Sequence, residues 1–464
     1  MIDWLQHQTG GLLTLSAISI ALLLIMIIRF KVEPFIALLI AGLLVALAAG
    51  LPVETLVGSA QKASGSLLEG GFGGILGHIA SIIGLGTLLG AILEASGGAQ
   101  VLTGSLLKAF GEKRAPLAMG LAGLIFGVPV FFDIGIFVLA PLVYVAAKQG
   151  GKSIVLYAMP LLAGLSVMHA FMPPHPGPVA AAGLLHVGLG WIIIMGLACA
   201  IPAWFVGGIL YSTWIAKRVN VPVPEEMLAA AEEARGDDVK NPPSLGLVLG
   251  IIAIPLVLIL AGTFGSILLS KGSRLYGVFT FFGTPAVALT IAVLLATYLL
   301  GYRRGMTRDQ LTELTGKSLR PVGMILLVVG AGGFFGAVLS ATGVGKVLAT
   351  SLADMGLPVI ALAYVISCGM RIAQGSATVA IVTTTGIVAP VVADLNYSQP
   401  QLALLVMSIA SGSIIASHVN DGGFWIVSRY FGLSVKETLQ TWTVLETVLS
   451  VVGFIMASLI SLVV

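Results

Sequence analysis

Four short segments bring polar or ionisable side chains together with residues that interrupt helices. They are FGVPVFFDIG (Phe126–Gly135), HAFMPPHPGP (His169–Pro178), RIAQGSATVA (Arg371–Ala380) and SHVNDGGFW (Ser417–Trp425). Proline has no N–H and clashes with the preceding turn, so Pro173, Pro174, Pro176 and Pro178 free carbonyls near His169 to Met172. Such carbonyls accept from a hydroxyl or coordinate a cation. A helix that restarts after a break offers unpaired N–H groups and a positive dipole end, which suit a carboxylate. Gln374, Gly375, Ser376, Ala377 and Thr378 form one such restart and add two hydroxyls.

The ionisable residues fit the same chemistry, the capture of a small organic acid together with a proton. Asp133 either caps the helix that follows it, accepts from a substrate hydroxyl, or carries the proton. Asp421, beside Asn420, is read as a site residue, and its carboxyl is a second candidate proton carrier. His175 stands between prolines, where it cannot be an ordinary helix-face residue, and is assigned hydrogen bonding or titration in the site. His169 and His418 are carried both as proton-coupling candidates and as packing histidines. Arg371 has three readings: a partner for the substrate carboxylate, a partner for Asp421, or a side chain reaching the outer surface. His78 and Glu94 are read as interfacial or packing residues. Covalent catalysis is excluded, because Ser417 and His418 are adjacent and point about 100° apart on a helix. Phosphate-loop, dinucleotide and metal-ligand spacings are absent, so neither a cofactor nor a metal is expected.

The elements that must hold these segments follow from composition. Of 464 residues, 58% are hydrophobic and 9% charged, against about 25% charged in an average soluble domain. Too few charges remain to cover a water-facing surface, so the chain is read as an all-α polytopic membrane protein. Cys199 and Cys368 lie in apolar runs and imply no disulfide framework. A spanning helix needs about 20 apolar residues. Candidate spans fall near 10–28, 33–50, 71–95, 153–188, 190–215, 246–268, 276–300, 321–342, 401–430 and 438–462. The stretches 153–188 and 401–430 are long and broken midway. The stretches 115–147 and 357–393 each read as two short helices in a re-entrant hairpin, where irregular backbone is tolerated because protein surrounds it.

The two halves resemble each other. Residues 84–106 align without gaps to 330–352 with 11 of 23 positions identical. Gly86 and Gly90 match Gly332 and Gly336, a spacing suited to close helix packing. The first half is taken as 1–216, a polar cytoplasmic connector as 217–244, and the second half as 245–464. Each half then holds five spans, one of them a broken helix, plus one hairpin. Five is odd, so the halves are expected to be inverted-topology repeats with a site at their interface. With the N-terminus outside, eighteen Lys and Arg fall on inner loops and four on outer ones. That bias obeys the positive-inside rule and places both termini in the periplasm. The first nine residues contain no Lys or Arg, so no cleaved signal peptide is expected.

At the four interrupted segments, in their order and separations, the sequence resembles the gluconate permease family, the gluconate:proton symporters within the ion-transporter superfamily. The likeness covers essentially the whole chain. It implies a mobile domain of hairpins and broken helices moving against a scaffold, proton coupling, and a bacterial inner-membrane location. The implied substrates are gluconate, related sugar acids such as idonate and fructuronate, or D-serine. It also places Asp133, His175, Ser376, Thr378, Asn420 and Asp421 within matching motifs. The expected partners are a gluconate-like sugar acid, protons and the lipid bilayer, with no nucleic acid; a homodimer stays open. A sodium-coupled carboxylate carrier and a passive organic-anion channel are the alternatives.

Overall fold

The computed structural model describes residues 4, 8–59, 65–223, 225, 241–320, 322–343, 358–393, 395–419 and 421–464. Most of the 217–244 connector, the end of the internal match (344–352) and Asn420 lie outside the described residues. The fold is all-helical. Among the described residues nine helices are long and apolar enough to cross a membrane.

The first half contains α1 (Thr9–Ile28), α2 (Pro34–Ala48), α3 (Leu67–Ala95), α4 (Gly98–Phe110), α5 (Ala115–Phe126), α6 (Phe132–Gly150), α7 (Val155–Phe171), α8 (Pro176–Leu184) and α9 (Leu189–Ile215). The second half contains α10 (Leu245–Leu268), α11 (Arg274–Gly283), α12 (Pro285–Arg304), α13 (Arg308–Leu319) and α14 (Val322–Ala341). It continues through α15 (Val359–Gln374), α16 (Ala377–Val392), α17 (Gln399–Gly412), α18 (Gly422–Tyr430) and α19 (Val435–Ser461). Apart from the polar α13, most of the helices are apolar nearly all round, so burial is decided by neighbours more than by a stripe on each helix.

The first interruption falls at its prolines, and the second ends where Gly422 and Gly423 open α18. The α7–α8 break spans residues 172–175, and the α17–α18 break spans 413–421 and holds Ala416 at φ 48°, a region non-glycine residues seldom occupy. The expected span over 276–300 is instead two helices. Thr284 adopts extended backbone, which Pro285 favours in the residue before it. There α10 and α11 cross so closely that a Cβ on Gly262 would lie 2.7 Å from the Gly283 Cα. The second arm of the first hairpin also differs from the expected half-length helix. Helix α6 runs 19 residues and stops only at Gly151, whose φ of 60° makes a left-handed cap.

Packing between the halves is reciprocal. Helix α2 lies on α14 while α12 lies on α3, and α3 crosses α14 directly. Likewise α8 packs on α16 and α18 on α6, so each hairpin meets the broken helix of the other half. The Tyr144 hydroxyl donates to the Tyr430 carbonyl at 2.6 Å across the second of these contacts.

Contacts at the matched glycines are unequal. A Cβ on Gly90 would sit 2.2 Å from the Pro129 carbonyl oxygen, and one on Gly86 would sit 2.5 Å from the Pro174 ring. At Gly332 and Gly336 the nearest atoms are 3.2 and 3.4 Å away. Helix α3 is thus pressed harder against the first hairpin turn and the first break than α14 is against α16. Gly90→Ala is therefore expected to lower the melting temperature of the detergent-solubilised protein, since overpacking costs roughly 1–3 kcal/mol. Gly74→Ala, with nothing within 4 Å of the added methyl, leaves it unchanged. Equal melting temperatures for the two variants would show that the Pro129 turn yields freely.

Candidate functional site

Both hairpin turns, the second break and helix α7 converge on a cavity of about 400 Å³. The first hairpin contributes Phe131, Phe132 and Asp133, and the second contributes Gly375 to Val379. Ser166 and His169 come from α7, and Asp421 to Gly423 from the second break. Met324, Ile325 and Val328 of α14 and Trp442 and Glu446 of α19 close the remaining walls.

The second hairpin turn is built by its caps. Gly375, at φ 78°, ends α15 in the left-handed conformation, and Ser376 starts α16 with its hydroxyl accepting from the Val379 N–H at 3.4 Å. The first intrahelical bond runs from Ala380 N–H to the Ser376 carbonyl, so the amides of Ala377 and Thr378 precede the helical ladder. The Thr378 hydroxyl is half-buried at the cavity wall.

Arg371 is 5% exposed, which removes the reading of a side chain reaching the outer surface. Its Nη2 donates to Asp421 Oδ2 at 2.5 Å and its Nη1 donates to the Gly375 carbonyl. Asp421 is saturated. Oδ2 also accepts from the Ser417 hydroxyl, and Oδ1 caps α18 through the Gly423 N–H at 3.0 Å. Ser417 in turn accepts from Trp442 Nε1–H at 2.7 Å, while Phe132 stacks on Trp442 with ring centroids 5.2 Å apart. A continuous chain of contacts thus joins the first hairpin to the second through the second break.

Asp133 sits in the first turn of α6 without capping it, is exposed toward the cavity, and has no hydrogen bond among the described residues. His169 lines the cavity with its ring 4.8 Å from that of His175, and its Nδ1 is buried without a hydrogen bond. The other expected residues stand off the cavity. His175 is 3% exposed, and its Nε2–H donates to the Gly127 carbonyl at 2.6 Å, tying the first break to the first hairpin turn. His418 bonds the nearby Ala416 carbonyl at 2.9 Å. The Gln374 amide is buried away from the cavity, with neither end hydrogen-bonded. His78 lines a second cavity, of about 440 Å³, with glycines of α3 and α14 and the ends of α8 and α16. Glu94 lies half-buried near the end of α3.

Glu446 and Trp442 were missed by the motif-based reading. Glu446 is 2% exposed, with Oε2 accepting from the Ser166 hydroxyl at 3.0 Å and Oε1 buried without a partner. Its signal was an acidic residue inside an apolar span, the criterion that had singled out Glu94. Among the described residues no group of three or more His, Cys, Asp or Glu is arranged to hold a metal ion.

Interrupted helices around a charged internal cavity, carried by spanning helices on every side, define a polytopic membrane permease. Two solved transporter structures share this fold. YdaH of Alcanivorax borkumensis aligns with a TM-score of 0.62 at 16% identity over 93% of this chain and 99% of that one. MtrF of Neisseria gonorrhoeae aligns with a TM-score of 0.63 at 15% identity over 98% and 96%. The profile of the GntP family permease matches residues 12–463, and the chain belongs to that family. Among its relatives, the Escherichia coli inner membrane permease YgbN is 42% identical over 97% of this chain and 98% of that protein. A gluconate permease of Pseudomonas aeruginosa is 40% identical over 97% of both. The low-affinity gluconate transporter of Escherichia coli is 38% identical over 96% and 97%.

Proposed function

We propose that this permease carries gluconate, or a closely related sugar acid, inward across the bacterial inner membrane together with protons. The observation that carries the reading is the single cavity in which Arg371, Thr378 and the α16 N-terminus meet Asp133 and Glu446. The amides at the start of α16 suit the substrate carboxylate, and Asp133 and Thr378 suit its hydroxyls. Asp133, Asp421 and Glu446 face one guanidinium, so an incoming anion meets net negative charge unless a carboxyl is protonated. A proton bound first removes that repulsion, and proton loss on the inner side releases the anion. One proton per monoanion is electroneutral and draws only on the pH difference.

Alternating access is supported by the unequal glycine contacts and by the two cavities. The site cavity lies at the end of α14 next to Arg320 and the start of α19 next to Lys436, the side that the positive-inside bias assigns to the cytoplasm. The second cavity, at the far ends of α3, α8, α14 and α16, lies toward the periplasmic side in the same assignment. An inverted pair of repeats, each with a hairpin and a broken helix that move together as an elevator against α2, α3, α12 and α14, accounts for both. Both termini are then periplasmic.

Purified protein in liposomes is expected to accumulate labelled gluconate above the outside concentration when the lumen is more alkaline than the medium. Replacing sodium with choline at fixed pH should leave uptake intact. Idonate, fructuronate, glycerate and D-serine compete in proportion to their fit. Uptake that never exceeds the outside concentration would mark a passive pathway, and loss of uptake in choline would mark sodium coupling.

A further inference from the structure

Resting on the proton-coupled reading above, we infer that Glu446, held by Ser166, is the carboxyl that binds the coupling proton. Three carboxyls line the cavity, and their surroundings separate them. Asp421 is committed, because Arg371, Ser417 and the Gly423 amide occupy both of its oxygens. Asp133 is exposed at the cavity wall rather than enclosed. Glu446 alone is enclosed with an oxygen that meets no donor, while the other accepts one hydroxyl. An ionised carboxylate buried in that way is costly, and protonation relieves the cost. Because Glu446 also lines the cavity, its charge is felt by whatever anion enters.

The groups around it complete the electrostatics. Arg371, on α15, and Asp421 act on Glu446 together as a pair whose charges largely cancel. Helix α7 presents His169 beside Ser166. Farther along the elements packed on α19, Tyr364 and Cys368 stand on α15 and Cys199 and Tyr211 on α9. Tyr364 shares a hydrogen bond with Ser450 at 2.9 Å, and Tyr211 donates to the Gln440 carbonyl at 2.7 Å. Helix α17 contributes no titratable side chain. Among the carboxyls, Glu446 alone keeps a buried oxygen that no hydrogen bond fills; the other buried position open to a proton among these groups is Nδ1 of His169.

The test compares wild type, Glu446→Gln and Ser166→Ala in liposomes, using labelled gluconate and a pH electrode in the medium. Wild type should accumulate gluconate and move protons with it. Glu446→Gln, a permanent mimic of the protonated side chain, should still exchange internal for external gluconate, with a rate that no longer varies with pH. Its accumulation ratio should fall to about one, with no proton flux on gluconate addition. Ser166→Ala strips the ionised carboxylate of its one donor and should move the pH midpoint of exchange upward by about one unit. Wild type that moves gluconate without protons overturns the proton-coupled reading and this assignment together. Wild-type coupling beside a Glu446→Gln variant that still accumulates gluconate and moves protons overturns the assignment alone. If Glu446→Gln does not fold, Ser166→Ala decides, and an unshifted pH midpoint overturns the assignment.

Discussion

Asp421→Asn is expected to abolish gluconate transport of every kind, exchange as well as accumulation, and to lower the melting temperature of the purified protein. The cause is Arg371, which is 5% exposed and has Asp421 as its only acidic partner among the described residues. Breaking a buried pair by removing one member costs about 3–5 kcal/mol, because the surviving charge stays buried without compensation. That cost is a large part of the total stability of an ordinary fold. Arg371→Gln should fail for the mirrored reason, leaving Asp421 with a hydroxyl and an amide but no cation. Joining the two changes removes both charges, so the double variant should be more stable than either single one. The coupling is read as the departure from additivity in a double-mutant cycle. Exchange by Asp421→Asn at the wild-type rate and melting temperature would contradict the structural role of the pair. Its phenotype also separates Asp421 from Glu446, whose Gln variant keeps exchange and loses only the link to protons.

The interrupted segments were legible because their signals are local. Pro173 and Pro174 cannot continue α7 and Pro176 suits the first position of α8, through their own covalent geometry wherever in the fold they lie. Gly422 and Gly423 open α18. The cavity's long-range pairings were not legible in that way. Ser166 and Glu446 are 280 residues apart and meet only because α7 packs on α19. Glu446 stands in a run with no breaker, so a search for interruptions passes over it. His175 shows the opposite error. Its place between prolines did mark an unusual backbone, but its ring is spent on the Gly127 carbonyl and steadies the first hairpin turn. The three readings of Arg371 differed only in which acceptor lay within reach, and that depended on how α15 and the second break were docked. Helix α6 runs past the half-length expected of a hairpin arm and accommodates Pro141 within it.

Trp442→Ala is expected to cost the site its shape. Trp442 is 2% exposed, stacks on Phe132 of the first hairpin, and donates to Ser417, which donates in turn to Asp421. One side chain therefore fixes the first hairpin turn relative to the second break and to the ion pair behind it. Truncating a buried tryptophan costs about 3–5 kcal/mol in lost burial and residual cavity. Trp442→Phe keeps a ring for Phe132 to stack on and loses only the N–H, a difference of roughly 1 kcal/mol. Gluconate uptake should thus fall at least tenfold in the alanine variant and remain within a few-fold of wild type in the phenylalanine variant. Packing alone would reduce uptake in proportion to the amount of folded protein, with the half-saturation concentration unchanged. As a cavity wall, Trp442 predicts a raised half-saturation concentration in the protein that does fold, because Ser417 and Phe132 lose their fixed positions against the substrate. Wild-type uptake and half-saturation in Trp442→Ala would mean that the two hairpin turns are held together by something other than this side chain.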